Sequence, residues 1–423
     1  MRRLTTMRKP LLISLVLFIL LSYCLPVFAA PAAIATVPYE VQYLSRVKQL
    51  ELDNEISKGE FGQYLSSLLD DEQYLVTDKS LASERITTLE ALSVAVKAAK
   101  MEELARTYPA EKINRALKKV GLDYAANSST LPLTTAQDLA LALDVELLPK
   151  EYVSSFAVDK YLTKAEAAAI LCRVLDLNGQ YKNYLGTIMD PTIYGKVLRT
   201  IDNVKKVDDE KLLTALDAAI ELGLTTGYNI RDLRNNSNFD PLLTIRYGHD
   251  NPIHAIQLIG LLRSEGLNAK VNIETKTSSY KHMAEWGLDP NPNYEFIPAA
   301  DGNYYAHVKE YDILFEFATE EQKNKFQDII LQYAKKNEAD QQGLIYQAWW
   351  QPLYTSNIPM ENYLTMTDNI VRNGNYEAHV YTLNEDSEAL VNALKKLDPS
   401  LDIKTEIVWV NEAFYNYLKG EYK

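Results

Sequence analysis

The sequence predicts an α+β protein, with a helical N-terminal region followed by a mixed strand-and-helix part. Three observations carry this. Between about Val41 and Gly266 apolar residues recur at helical spacing, as at Leu92, Val94, Ala95 and Ala98. From Leu267 onward the period falls to two, as in Ala269-Lys270-Val271-Asn272-Ile273-Glu274-Thr275. Threonines stand ahead of apolar helices, where a hydroxyl can accept from the first free backbone N–H groups.

The first 29 residues read as a secretion signal. Arg2, Arg3, Arg8 and Lys9 form a basic start, and Leu11 to Leu25 carries no charge. Pro26 breaks the helix, and Val27-Phe28-Ala29 places cleavage before Ala30. An uncleaved anchor is the alternative, because the apolar run approaches spanning length. Lipoprotein processing at Cys24 is disfavoured by the bulk of Tyr23. No later stretch is long and apolar enough to cross a bilayer. The expected layout is a lead segment over 30–80, a helical region over 81–266 and an α+β C-terminal domain over 267–423.

Signal removal takes four of the 44 basic residues, so 40 face 57 acidic ones and the formal charge becomes −17. A surface of that sign repels polyanions on average, so no nucleic-acid partner is expected. Cys172 is then the remaining cysteine, and no intramolecular disulfide can form. That usage fits a bacterial exported protein stabilised by packing, acting in the cell wall or at the cell surface. Cys172 lies in the apolar run Ala167 to Cys172 and reads as a buried, inert thiol.

The capping device recurs at Ile86-Thr87-Thr88-Leu89-Glu90, Leu133-Thr134-Thr135-Ala136-Gln137, Leu162-Thr163-Lys164-Ala165-Glu166 and Leu243-Thr244-Ile245-Arg246. In the first and third, a Glu three positions after the Thr completes a capping box. The irregular spacing describes a degenerate repeat with insertions rather than a strict solenoid. Lys211 to Leu222 reads as a further helix closed by Gly223.

Leu162 to Leu175 resembles the closing helix of an S-layer homology module, whose motif is a Thr-Arg-Ala-Glu start on an Ala-rich helix. Ala215 to Leu262 resembles a fuller copy. Its helix Ala215 to Leu224 is followed by Thr225-Thr226-Gly227-Tyr228, Asn238-Phe239-Asp240-Pro241 and Leu243-Thr244-Ile245-Arg246, in the order the family uses. The family's Gly-rich turn is replaced by Arg231 to Asn236, and its aromatic near the module start is missing. The resemblance spans about 80 to 265. It implies modules that bind cell-wall polymers or peptidoglycan-linked glycans in intermodule grooves, with Lys164, Tyr228 and Arg246 at the ligand-binding positions. Helices that only cap and pack are the other reading of the same residues.

In the C-terminal part, strands are expected at Ala269–Thr275, Tyr311–Phe317, Leu344–Trp350, Glu377–Thr382 and Ile403–Val410. Helices are expected at Glu320–Lys336 and Ser387–Leu397. Two strand–helix–strand units of about 40 residues fit an α+β sandwich with ferredoxin-like units. Tyrosine is abundant, at 28 residues. Trp349 and Trp350 would point to opposite faces of a strand, and an exposed ring there could stack on a sugar, core packing being the alternative.

No metal or cofactor is expected. The five histidines form no His-Glu-x-x-His pair, and neither a phosphate-cradling loop nor a dinucleotide fingerprint is present. Asn251-Pro252-Ile253-His254, opening a helix before a strand, resembles part of a transglutaminase-like cysteine protease. His254 occupies the place where that chemistry needs a thiolate, so no catalytic residue is assigned. The sequence thus points to a non-catalytic envelope protein that associates with wall polymer or acts in surface interaction, with an envelope enzyme as the alternative.

Overall fold

The computed structural model describes residues 37–423 except 125–130, 204, 208, 250, 336–344, 347–354, 357–358, 360–362 and scattered positions from 411 onward. The expected signal, Trp349 and Trp350 lie outside the described residues. No described helix is long and apolar enough to cross a membrane.

The helical region is built from α1 (Tyr39–Lys48), α2 (Lys58–Leu69), α3 (Thr88–Ala98), α4 (Ala110–Leu117), α5 (Leu133–Asp144) and α6 (Lys164–Leu177), with shorter turns between. Leu44, Phe61, Leu92, Leu141 and Ile170 meet in one core. Full burial of each such side chain contributes about 1.5–3 kcal/mol.

Three of these helices start alike. The Ser57, Thr87 and Thr163 hydroxyls accept from the backbone N–H of Glu60, Glu90 and Glu166 at 3.2, 3.2 and 3.3 Å. Each glutamate accepts in return from the N–H of its capping residue, at 2.7, 2.9 and 3.1 Å. The residues around the caps pair as antiparallel bridges, Ser57 with Arg85, Thr87 with Tyr161 and Thr163 with Glu55. Those pairings join the three helix starts into a closed ring. Ile56, Ile86 and Leu162 are buried beside it.

Ser57-Lys58-Gly59-Glu60 is thus a capping box that the Thr-based pattern missed, and two expected caps are corrected. Thr134 lies within the first turn of α5, whose N-cap is Pro132, and makes no cap bond. Thr244 opens a strand, β3, in place of a helix. The period-two run Ile245-Arg246-Tyr247-Gly248 overrides the local capping signal, because it can bury Ile245 and Tyr247 on one face.

The rest of the chain forms one curled antiparallel sheet, an open half-barrel. Its strands are β1 (Gly186–Thr187), β2 (Gly227–Asp232), β3 (Thr244–His249), β4 (Ala269–His282), β5 (Tyr294–Pro298), β6 (Tyr304–Phe317), β9 (Thr355–Ser356), β10 (Leu364–Asn373), β11 (Tyr376–Thr382) and β12 (Asp402–Val410), in the order β3-β6-β4-β2-β11-β10-β12-β9. β7 (Ala334–Lys335) and β8 (Ile345–Tyr346) pair separately, in parallel. β1 adds to β4, and β5 to β6. Three strands precede Leu267, so the segment Ala215 to Leu262, expected as a helical module copy, supplies two strands to the sheet.

The helices of this part are α7 (Ile193–Asp202), α8 (Glu210–Glu221), α9 (Pro252–Ser264), α10 (Glu320–Tyr333) and α11 (Ser387–Leu397). All of them contribute to cores on one sheet face. Val197, Leu258 and Phe326 pack on Tyr247, Val271 and Phe315. Leu216 and Leu390 pack on Ile230, Val371 and Val380.

The ferredoxin-like expectation is corrected. β11-α11-β12 does cross over β10, and β3-α9-β4 crosses over β6, but neither unit stands apart among the described residues. β2 hydrogen-bonds to β4 on one side and β11 on the other, merging the two crossovers into a continuous sheet. An unpaired edge is thereby avoided on both.

Candidate functional site

The sheet face turned away from the helices is largely polar, apart from a small apolar cluster of Met366, Val408 and Val410 on β10 and β12. Side chains alternate across a strand, so directly paired residues share a face. The register pairs Glu274 with Asp312, Lys276 with Glu310, Arg231 with Lys276, and Glu377 with Arg231. Charged groups of both signs are therefore lined up from β3 to β12.

They form two linked knots. In the first, the Arg246 guanidinium lies 3.0 Å from Glu274 and 3.4 Å from Asp312. Asp312 also receives Lys276 at 2.6 Å and Arg231 at 3.3 Å. Ser278 Oγ donates to Glu310 at 2.5 Å, and Lys276 lies 3.7 Å from the same carboxylate. Burial opposes ionisation of Asp312, but Lys276 and Arg246 overcome it and hold the carboxyl below its usual range. Gly248, opposite Asp312, makes room for this cluster: a Cβ there would lie 2.6 Å from Lys276 Nζ and 2.7 Å from Asp312 Oδ1.

In the second knot, His379 uses both ring nitrogens. Nδ1 is 2.7 Å from Asp368 and Nε2 is 3.1 Å from Glu377. Burial disfavours the imidazolium, yet the two carboxylates push His379 up to about 9. Glu377 is also held by Arg372, at 2.6 Å. Despite its burial, His379 and Arg372 bring it down to about 2.

Above this face, between it and α1, lies a cleft of about 770 Å³ whose wall includes Arg46, Gln49, Arg231, Arg246, His379 and Tyr381. Two contacts clamp the helical region to its rim. Arg46 pairs with Asp240, and Lys182 pairs with Glu316 at 2.6 Å. Glu316 accepts further from Lys270 at 3.0 Å and from the Asp240 N–H at 2.9 Å. Burial pulls the Lys182 ammonium down to about 8 against the attraction of Glu316.

The residues singled out from sequence are not gathered. Lys164 sits half-buried in the first turn of α6, beside the ring. Arg246 is on β3, deep in the first knot. Tyr228 faces the opposite side of the sheet, where its hydroxyl donates to Asp217 at 2.6 Å and burial raises its pKa strongly. It is part of the packing between α8 and the sheet. Cys172 is buried as expected, and burial pushes its thiol well up.

His254, His307 and Asp312 do not converge. His254 is buried on α9, and His307 is buried on the helix-covered face, 3.1 Å from Asp217. Asp312 points to the cleft side. Among the described residues, no group of three or more His, Cys, Asp or Glu side chains is placed to hold a metal ion.

Sequence reasoning missed Glu274, Lys276, Glu310, Glu377 and His379. A signal was present in β4 and β6, where opposite charges occupy alternate positions, but only strand pairing shows that they meet. The chain matches no protein-family model, and no curated protein or solved structure shows significant similarity to it. The likeness to S-layer homology modules therefore rests on the sequence motifs alone.

Proposed function

We propose that this is an exported, non-catalytic cell-envelope protein that associates with wall polymer through its helical region. The observation that carries the reading is the ring of three capped helix starts at Ser57, Thr87 and Thr163. Repeated motifs that meet around one ring bring equivalent helix starts together, the kind of repetition a polymer-binding protein can use. On its surface Arg85 stacks over the exposed ring of Tyr161 at 4.3 Å, and Lys164 follows the third cap. Lys58 and Lys160 are engaged by Glu84, Glu90 and Glu166, whereas Arg85 lies 3.6 Å from Glu55 with both side chains exposed, so Arg85, Tyr161 and Lys164 are the groups to test. The S-layer homology resemblance supplies the polymer class. Tyr228 and Arg246, packed elsewhere, have no part in this reading.

The test is sedimentation of the full chain with purified cell-wall sacculi, before and after removal of secondary polymers. Binding that disappears with the polymers and weakens in a Lys164→Ala, Arg85→Ala double variant supports the proposal. Equal sedimentation of the double variant, or none by the wild type, removes it.

A further inference from the structure

The ring reading leaves the polar cleft over the sheet without a role. A soluble antiparallel sheet commonly exposes a polar face, and ion pairs across it would then be solvated ornament of little energetic weight. Here the carboxylates of Glu274, Asp312 and Asp368 are almost wholly buried, although the face carries a cleft rather than a packed layer. Buried pairs of this kind are poor stabilisers compared with apolar packing, so their retention around a cleft calls for another account.

We propose that the cleft between α1 and the sheet is a binding site for an uncharged, hydroxyl-rich ligand, a saccharide. Its volume, about 770 Å³, falls within the range of roughly 300–1,000 Å³ in which small-ligand sites occur. The two knots balance: their four Arg and Lys side chains and the doubly bonded His379 offset their five carboxylates. A ligand with net charge set against the knots would be desolvated with no unmatched counter-charge in either of them to receive it, and the Lys323 ammonium elsewhere in the wall donates to the Leu242 carbonyl at 2.6 Å. A neutral polyol meets no such penalty, because each hydroxyl both donates and accepts.

The hydrogen-bonding capacity left over is of both kinds. Arg231 Nε is a buried donor and Asp368 Oδ1 a buried acceptor, and neither has a partner among the described residues. Both residues line the cleft. The half-buried ring of Tyr381 stands in the same wall, stacked on His379 at 6.4 Å between centroids and tilted by only 20°, with part of it packed against Met366, Val408 and Val410. A sugar ring presents C–H groups that can pack on such an aromatic face while its hydroxyls reach the knots. The site is separate from the ring of helix starts and does not depend on it.

The experiment is calorimetric titration of the full chain with a panel of neutral, acidic and amino-sugar oligosaccharides, joined to hydrogen exchange on the unaltered protein. The expected result is saturable binding of a neutral member, with slowed exchange at 229–231 and 372–379. Tyr381→Ala and Arg372→Gln should weaken it at least tenfold, with the melting temperature of each read alongside because Tyr381 packs on Met366 and Val408 and Arg372 holds Glu377. Binding confined to acidic or amino sugars, binding of no neutral sugar, or protection that falls on the ring at 55–57 and 161–163 would each overturn the proposal. The exchange map decides even where a variant folds poorly.

Discussion

Arg46 on the first helix grips Asp240, 194 residues away, with its Nε 3.2 Å from one carboxylate oxygen and 3.1 Å from the other. Asp240 is fully buried and also caps the turn before β3 through the Leu242 N–H. Removing the guanidinium strands a buried carboxylate. Arg46→Ala should therefore cost about 2–3 kcal/mol, below the usual loss for a wholly buried pair because Arg46 itself is partly exposed. Urea unfolding measures it. A loss under about 0.5 kcal/mol would show that water can reach Asp240 and that the clamp is weak.

The capping assignments separate two similar threonines. Thr87→Ala removes the acceptor for the Glu90 N–H, for an expected loss of about 1 kcal/mol. Thr134→Ala, at an exposed position inside the first turn of α5, should stay within about 0.5 kcal/mol of wild type. Paired thermal melts of the two variants check the ring directly. Equal losses would mean that Thr87 is not acting as a cap.

His379 gives the protein a pH dependence of known sign. Its folded pKa, about 9, lies above its ordinary 6.5, so the folded state binds this proton more tightly. The stabilisation, about 3 kcal/mol, is fully present below pH 6.5 and is lost as pH rises through 9. Glu377 works in the opposite direction: its contribution is present above its ordinary 4.5 and is lost as pH falls towards 2. The check is the difference in unfolding free energy between wild type and His379→Gln from pH 6 to pH 10. Taking the difference cancels other groups, Lys182 included. A difference that does not vary with pH would contradict the buried His379–Asp368 pair.

Gly248 tests the crowding of the first knot. A methyl group there would displace Lys276 Nζ or Asp312 Oδ1, both held within a buried cluster. Gly248→Ala should cost about 1–3 kcal/mol, seen as a lower urea midpoint with an unchanged slope. A neutral result would mean that the knot can shift outward into the cleft.

The fold was legible in parts for physical reasons. Ser387–Leu397 was read correctly as a helix because its apolar spacing agrees with its packing on the sheet. The Thr87 and Thr163 caps were legible because a capping box is a local device, complete within four residues. Thr244 was misread because its local signal competed with a strand pattern, and the sheet decided between them. At Ser57 a serine hydroxyl takes the place of the threonine, so a threonine-based pattern does not include this capping box.

By itself the sequence determined the α+β class, the capping boxes at Thr87 and Thr163 and the burial of Cys172. These depend on neighbours along the chain. The tertiary structure alone decided that three capped helix starts close a ring, that β2 joins two crossovers into one sheet, and that Arg246 and His379 belong to knots of opposite charges under a cleft. Each of those relations joins residues far apart in sequence, through strand register and helix packing, and register is fixed only when the whole apolar face is buried at once.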